Sequence, residues 1–187
     1  MNKKYPIDVL TYLKQDKLPD EVAISIERSK ALGFYSLPIT PDTYTIKPCH
    51  CGFKHLKEIT IPKIDKIIDD IEGFFIAEGD LYIYYHFTFD KFLEMNLTKP
   101  IWLGYKKNLS NYIVGNFLIY IPKTHYIEFK SKLLNQSRLI YSDRFFTKLV
   151  KSGWLKLNTK SLASEIEHYS NVINDIRKSN IKKLLKF

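Results

Sequence analysis

The most apolar stretch of the chain is residues 74–89, and in its second half apolar and polar-face positions alternate cleanly. Phe74-Phe75-Ile76-Ala77 leads through Glu78-Gly79-Asp80 into a stretch with Leu81, Ile83, Tyr85, Phe87 and Phe89 on one face and Tyr82, Tyr84, His86 and Thr88 on the other. This pattern predicts two strands joined at a 78–80 turn. A second strong strand is expected over 112–121, where Ile113, Phe117, Ile119 and Ile121 share a face, Gly115 suits a bulge and Pro122 ends the run. Ile101-Trp102-Leu103 and residues 56–59 read as further strands, and Tyr44-Thr45-Ile46 as a short edge strand among prolines.

Helical spacing appears elsewhere. Pro6 can open a short helix carrying Ile7, Leu10 and Leu13; Pro19-Asp20-Glu21 opens a second that closes at Gly33. From Thr60 to Gly73, Ile64, Ile67, Ile68 and Ile71 form an i, i+3, i+4, i+7 stripe with Pro62 in the first turn and Gly73 as the C-cap, and Asp90 can cap a short helix with Phe92 and Leu93. Residues 124–136 read as one helix. Ser142 starts another, in which Phe145, Phe146, Leu149 and Val150 face inward and Gly153 ends the run before a short strand over 154–157. A long helix is expected from Ser161, with Leu162, Ile166, Tyr169, Ile173, Ile176, Leu184 and Phe187 on one side. The fold class expected from this order is α+β, with a central, mainly antiparallel sheet of about four or five strands packed with helices and a basic helical C-terminal third.

With 187 residues, 45% of them hydrophobic, the chain can bury a sizeable core as one domain over 1–187. No apolar run approaches a membrane span, and the charged N-terminus lacks the apolar core of a signal peptide, so a cytoplasmic protein is expected. The two cysteines, Cys49 and Cys51, are too close for an unstrained bridge, which fits a reducing compartment. Lysine outweighs arginine and Ile, Asn and Tyr are abundant, the usage of an AT-rich genome such as that of a phage or mobile element.

Charge changes the picture more. Residues 1–122 hold 15 basic and 15 acidic side chains, whereas 123–187 hold 14 against 5, so the whole net charge of +9 sits in the last third. Such asymmetry suits nucleic acid or an acidic protein surface, and equally a solvated lysine face. The candidate contacts are Arg144, Lys148, Lys151, Lys156, Lys160, Arg177, Lys178, Lys182 and Lys183. Tyr82 and Tyr84 on an open sheet face could stack bases.

Two further patterns carry chemistry. Cys49-His50-Cys51-Gly52-Phe53-Lys54-His55 places two thiols and an imidazole within seven residues. A turn at Gly52 would let Cys49, Cys51 and His55 hold zinc, completed by His50 or His86. No second ligand pair follows, and the alternative is two small cysteines packed at a strand start. The expectation is no cofactor, with zinc as the alternative. His86-Phe87-Thr88 resembles half of the signature of the 2H phosphoesterase family. The resemblance implies His86 and His168 as the acid–base pair and Thr88 and Ser170 as phosphate ligands. Lys148 to Leu157, a helix ending at Gly153 before a short strand, resembles the recognition-helix-to-wing junction of winged-helix DNA-binding domains, which implies phosphate contacts by its lysines.

The function expected from these patterns is a small non-enzymatic binding protein that contacts nucleic acid, or a nucleic-acid-handling complex, through its basic C-terminal surface. The alternatives are an inhibitor or immunity-type protein–protein module, and a paired-histidine phosphoesterase or zinc-dependent hydrolase.

Overall fold

A computed structural model of the chain describes residues 3–10, 20–38, 53–78, 81–83, 87–107, 113–138, 140–159 and 166–168. The elements are β1 (Pro6–Leu10), α1 (Asp20–Ala31), β2 (Tyr35–Ser36), a π-helical turn (Leu56–Thr60) running into α2 (Ile61–Asp65), a 3-10 turn (Ile68–Asp70), β3 (Gly73–Glu78), β4 (Leu81–Ile83) and α3 (Phe89–Glu94). They continue with β5 (Ile101–Lys107), β6 (Ile113–Pro122), a 3-10 turn (Lys123–His125), α4 (Tyr126–Leu134), α5 (Ser142–Lys151), β7 (Lys156–Leu157) and β8 (Ile166–His168).

Six strands form one sheet in the order β2-β1-β3-β6-β5-β7, and β4 and β8 form a separate antiparallel pair. β1 is parallel to both β2 and β3, and β5 to β7, while β6 is antiparallel to β3 and β5. Five strands therefore point one way and β6 alone opposes them. The expected mainly antiparallel sheet of four or five strands is corrected to a six-stranded, mostly parallel one.

The reason lies in β3. Phe74 and Ile76 enter one apolar cluster with α2, α4 and α5, while Phe75 and Ala77 enter another with α1 and α3. A strand covered by helices on both faces reads as an unbroken apolar run, and parallel strands are usually covered in this way. The same run had suggested half of a hairpin. Instead, β3 pairs with β1 and β6, and β4 pairs with β8.

Other expectations change for related reasons. Residues 6–10 form a strand rather than a helix: Pro6 occupies the first strand position, where proline is tolerated, and the polar Asp8 points into the core, only 1% exposed. Residues 56–59 are helical, not extended. The isoleucine helix stops at Asp65, and Gly73 opens β3 instead of capping a helix. A Cβ at Gly73 would lie 2.6 Å from the Tyr120 hydroxyl and 2.9 Å from the Ile121 carbonyl oxygen, so the close approach of β6 explains the glycine. Residues 166–168 form β8 rather than part of a helix; the remainder of that expected helix, and the expected strand at 44–46, lie outside the described residues. α1, α4, α5, β5, β6 and β7 occur where the patterns place them. Gly33 and Gly153 end their helices with φ of 92° and 77°, the left-handed conformation that glycine adopts without strain.

Candidate active site

The amino edge of the sheet is closed. The backbone N–H groups of Glu72 and Gly73 donate to the Lys4 carbonyl at 2.8 and 3.4 Å, and that of Lys123 donates to the Glu72 carbonyl at 2.9 Å. The Lys123 ammonium caps the Asp69 carbonyl at 2.8 Å.

The carboxyl edge is where the chain diverges. After β1 it passes through α1 to β2 on one side; after β3 it passes through β4 and α3 toward β5 on the other. In open α/β sheets, adjacent strands whose connections leave in opposite directions frame the ligand crevice. Here that point lies between β1 and β3, where Leu10 stands opposite Glu78 in register. Glu78 is the last residue of β3, and Asp80 follows two positions later, outside the described residues. β4 then begins at Leu81, whose cross-strand partner in β8 is His168. In sequence, Glu78 and Asp80 thus closely precede the strand whose partner carries His168.

Beneath this edge, Asp8 anchors β1 to the helices behind it. Its carboxylate receives a hydrogen bond from the Thr60 hydroxyl at 2.5 Å and pairs with the Lys63 ammonium at 2.9 Å. His55 Nε2 lies 3.8 Å away, beyond hydrogen-bond reach, and both His55 ring nitrogens are buried without a hydrogen-bond partner. Burial works to raise the Asp8 pKa, but the facing His55 ring, the Lys63 charge and the Thr60 hydroxyl outweigh it and hold the carboxyl below its usual range.

On the opposite face, Arg28 of α1 donates from Nε to the Ile83 carbonyl at 2.7 Å. Ile83 itself is 1% exposed, packed in the cluster that contains Val22, Ile26 and Phe34.

The structure places the sequence-predicted residues as follows. Arg144 and Lys148 are exposed on α5, with the Arg144 guanidinium 5.0 Å from the Tyr141 ring centre and the Lys148 ammonium 3.3 Å from Gln136 Oε1. Lys151 and Lys156 are also exposed. Lys160, Arg177, Lys178, Lys182 and Lys183 lie outside the described residues, as do Tyr84, His86, Ser170, Cys49 and Cys51; Tyr82 is on β4, paired with Glu167. His55 is buried beside Asp8, and no group of three or more His, Cys, Asp or Glu residues suited to a metal occurs among the described residues. Part of the basic surface is matched internally, with Lys130 2.7 Å from Asp65 and Lys132 3.2 Å from Glu128.

No protein-family profile matches the sequence, and no curated protein matches it. Among solved structures, the chain resembles a glycosyltransferase involved in the glycosylation of the major capsid of PBCV-1, with a TM-score of 0.64 at 10% identity, covering 88% of this chain and 92% of that one. A looser likeness, TM-score 0.48 at 8% identity over 88% and 91% of the chains, is to 4-diphosphocytidyl-2C-methyl-D-erythritol synthase from Anaerococcus prevotii.

The fold shared with the glycosyltransferase corrects the functional expectation. The expected non-enzymatic nucleic-acid-binding protein and the phage or mobile-element inhibitor or immunity module are set aside. The winged-helix resemblance dissolves because β7, the supposed wing, pairs in parallel with β5 inside the main sheet. The paired-histidine reading needed two such motifs facing each other across a cleft; His168 is on β8 rather than in the expected helix, and His86 lies outside the described residues. Sequence reasoning passed over Glu78 and Asp80 as a turn. The available signal was an apolar run ending in acid-Gly-acid, a pattern that makes sense at the carboxyl end of a buried parallel strand.

Proposed function

We propose that the protein transfers a glycosyl group from a nucleoside diphosphate sugar to an acceptor hydroxyl, in the crevice between the carboxyl ends of β1 and β3. The observation that carries this reading is the position of Glu78, at the end of a central parallel strand and at the point where the chain connections diverge. The near full-length fold likeness to a glycosyltransferase supports the reaction class.

The donor set fits a divalent cation. Carboxylate oxygens suit Mg²⁺ and Mn²⁺, which are commonly held by one or two carboxylates together with substrate phosphates, and an imidazole is compatible with Mn²⁺. Glu78, Asp80 and His168 would hold it, and when bound it would supply positive charge to a departing diphosphate. In the reaction the acceptor oxygen forms a bond to the anomeric carbon, the bond from that carbon to the diphosphate oxygen breaks, and the acceptor proton is released. The chain's own contribution is to fix Glu78 at the end of β3, where β1 and β3 are paired in register.

The test is incubation of the purified protein and Mn²⁺ with a panel of nucleoside diphosphate sugars, reading release of the free nucleoside diphosphate with and without saccharide acceptors. Turnover of one donor, lowered about 100-fold by Glu78→Gln, is the expected result. Absence of both binding and turnover across the panel would reject the proposal.

A further inference from the structure

We infer that the outer face of α4 and α5 is a docking surface for an anionic lipid bilayer, on which the protein lies without crossing it. The inference does not depend on the crevice between β1 and β3. It starts from what the two helices bury. Tyr126, Phe129 and Leu133 of α4 and Phe145, Phe146 and Leu149 of α5 enter one apolar cluster, with the Phe129 ring 6.3 Å from that of Phe145 and 6.4 Å from that of Phe146. Those residues satisfy the inner faces of both helices. Ile127 is nevertheless 75% exposed and Leu134 49%. Seven positions apart, they lie on one stripe of α4, about 10 Å from end to end. Tyr141, at the turn into α5, is exposed as well.

Beside this stripe runs a cationic ridge. Arg144, Lys148 and Lys151, at i, i+4 and i+7 of α5, are all exposed. The Lys148 ammonium lies 3.3 Å from Gln136 Oε1 at the end of α4, and the Arg144 guanidinium 5.0 Å from the Tyr141 ring centre, so ridge and stripe adjoin. Nearby acids are covered by lysines: Glu128 by Lys132 at 3.2 Å and Asp65 by Lys130 at 2.7 Å. Exposed aliphatic groups beside ammonium groups suit the boundary of a bilayer, where the first reach the acyl region and the second meet lipid phosphates. Protein interfaces are enriched in arginine and depleted in lysine. Residues 123–159 carry six lysines against two arginines, and only two acidic residues, so an anionic bilayer fits this face better than an acidic protein does. Among the described residues no helix is long and apolar enough to cross a membrane, which leaves contact with its surface.

The test is co-sedimentation of the full chain with vesicles of phosphatidylcholine, alone or with about 30% phosphatidylserine, with thermal unfolding followed for every variant. Binding to the mixed vesicles and not to the neutral ones, weakening as salt is raised, is the expected result. Lys148→Glu with Lys151→Glu should lower affinity about 25-fold or more, at about fivefold for each cationic charge near the surface. Ile127→Ser with Leu134→Ser should lower it about tenfold. Lys30→Glu with Lys91→Glu, exposed on α1 and α3 across the sheet, changes net charge equally and should leave affinity unchanged, which separates this face from overall charge. No binding to the mixed vesicles, equal binding to neutral ones, or an equal loss in the Lys30→Glu/Lys91→Glu variant overturns the inference. If the Lys148→Glu/Lys151→Glu variant fails to fold, wild-type affinity in the Ile127→Ser/Leu134→Ser variant does the same. Binding of polyglutamate in place of vesicles would assign the face to an acidic protein and overturn it too.

Discussion

The two edges of the sheet are built on opposite plans. At the amino edge, Lys4, Glu72, Gly73 and Lys123 are tied together by backbone hydrogen bonds, and β6 comes so close that Gly73 has no room for a side chain. At the carboxyl edge, β1 and β3 end side by side at Leu10 and Glu78 and their connections part. The amino edge is fastened by these bonds, and the carboxyl edge is where the proposed site lies. A fastened backbone beneath it is what a site with fixed charged groups needs.

The comparison predicts that damage below the rim is read as lost stability and damage at the rim as lost activity. The largest effect is expected from Asp8→Ala, which leaves Lys63 and Thr60 without their buried partner and should cost about 3 kcal/mol in denaturant unfolding. Its pH dependence has a definite sign. The Asp8 carboxyl is held below the ordinary value of 3.8, so its contribution is complete above that value and is lost as pH falls through the lower folded-state value. The stability gap between wild type and Asp8→Asn should accordingly be constant near neutrality and shrink below about pH 4.

Glu78→Gln comes next, with about 100-fold lower turnover and an unfolding free energy within about 0.5 kcal/mol of wild type. Gly73→Ala should cost about 2 kcal/mol, because the added methyl meets Tyr120 and the Ile121 carbonyl and must push β6 away. The smallest effect is expected for Lys130→Met. Its pair with Asp65 is 2.7 Å long but partly exposed on both sides, and loss should cost less than about 1 kcal/mol. A stability loss for Glu78→Gln larger than that for Asp8→Ala would reverse the division between rim and support.

Much of the secondary structure was legible in the chain. The Phe145-Phe146-Leu149-Val150 stripe, the glycine stops at 33 and 153 and the strand over 112–121 each reflect a local rule that tertiary packing left in force. Sheet direction was not legible from the same signals. Ile7 and Leu10 match helical spacing, but pairing with β2 and β3 on either side, with Asp8 buried against Lys63 and Thr60, makes residues 6–10 a strand. Phe74 to Ala77 carries no alternation because helices cover both faces, so its parallel neighbours left no mark beyond continuous hydrophobicity. The site was missed for a different reason. Net charge drew attention to the lysines after residue 123, whereas the candidate site is defined by topology, which brings a carboxylate at 78 and a histidine at 168 into neighbouring stretches of backbone.

The most direct test of the account is a paramagnetic map of Mn²⁺ on the isotope-labelled protein, with amide signals followed as MnCl₂ and a nucleoside diphosphate are added. Broadening that is strongest at Leu10, Glu78, Leu81 and His168, with Glu72, Gly73 and Lys123 unaffected, is the predicted result. Broadening centred on the closed edge or spread over scattered surface carboxylates, and unchanged in Glu78→Gln, would contradict it.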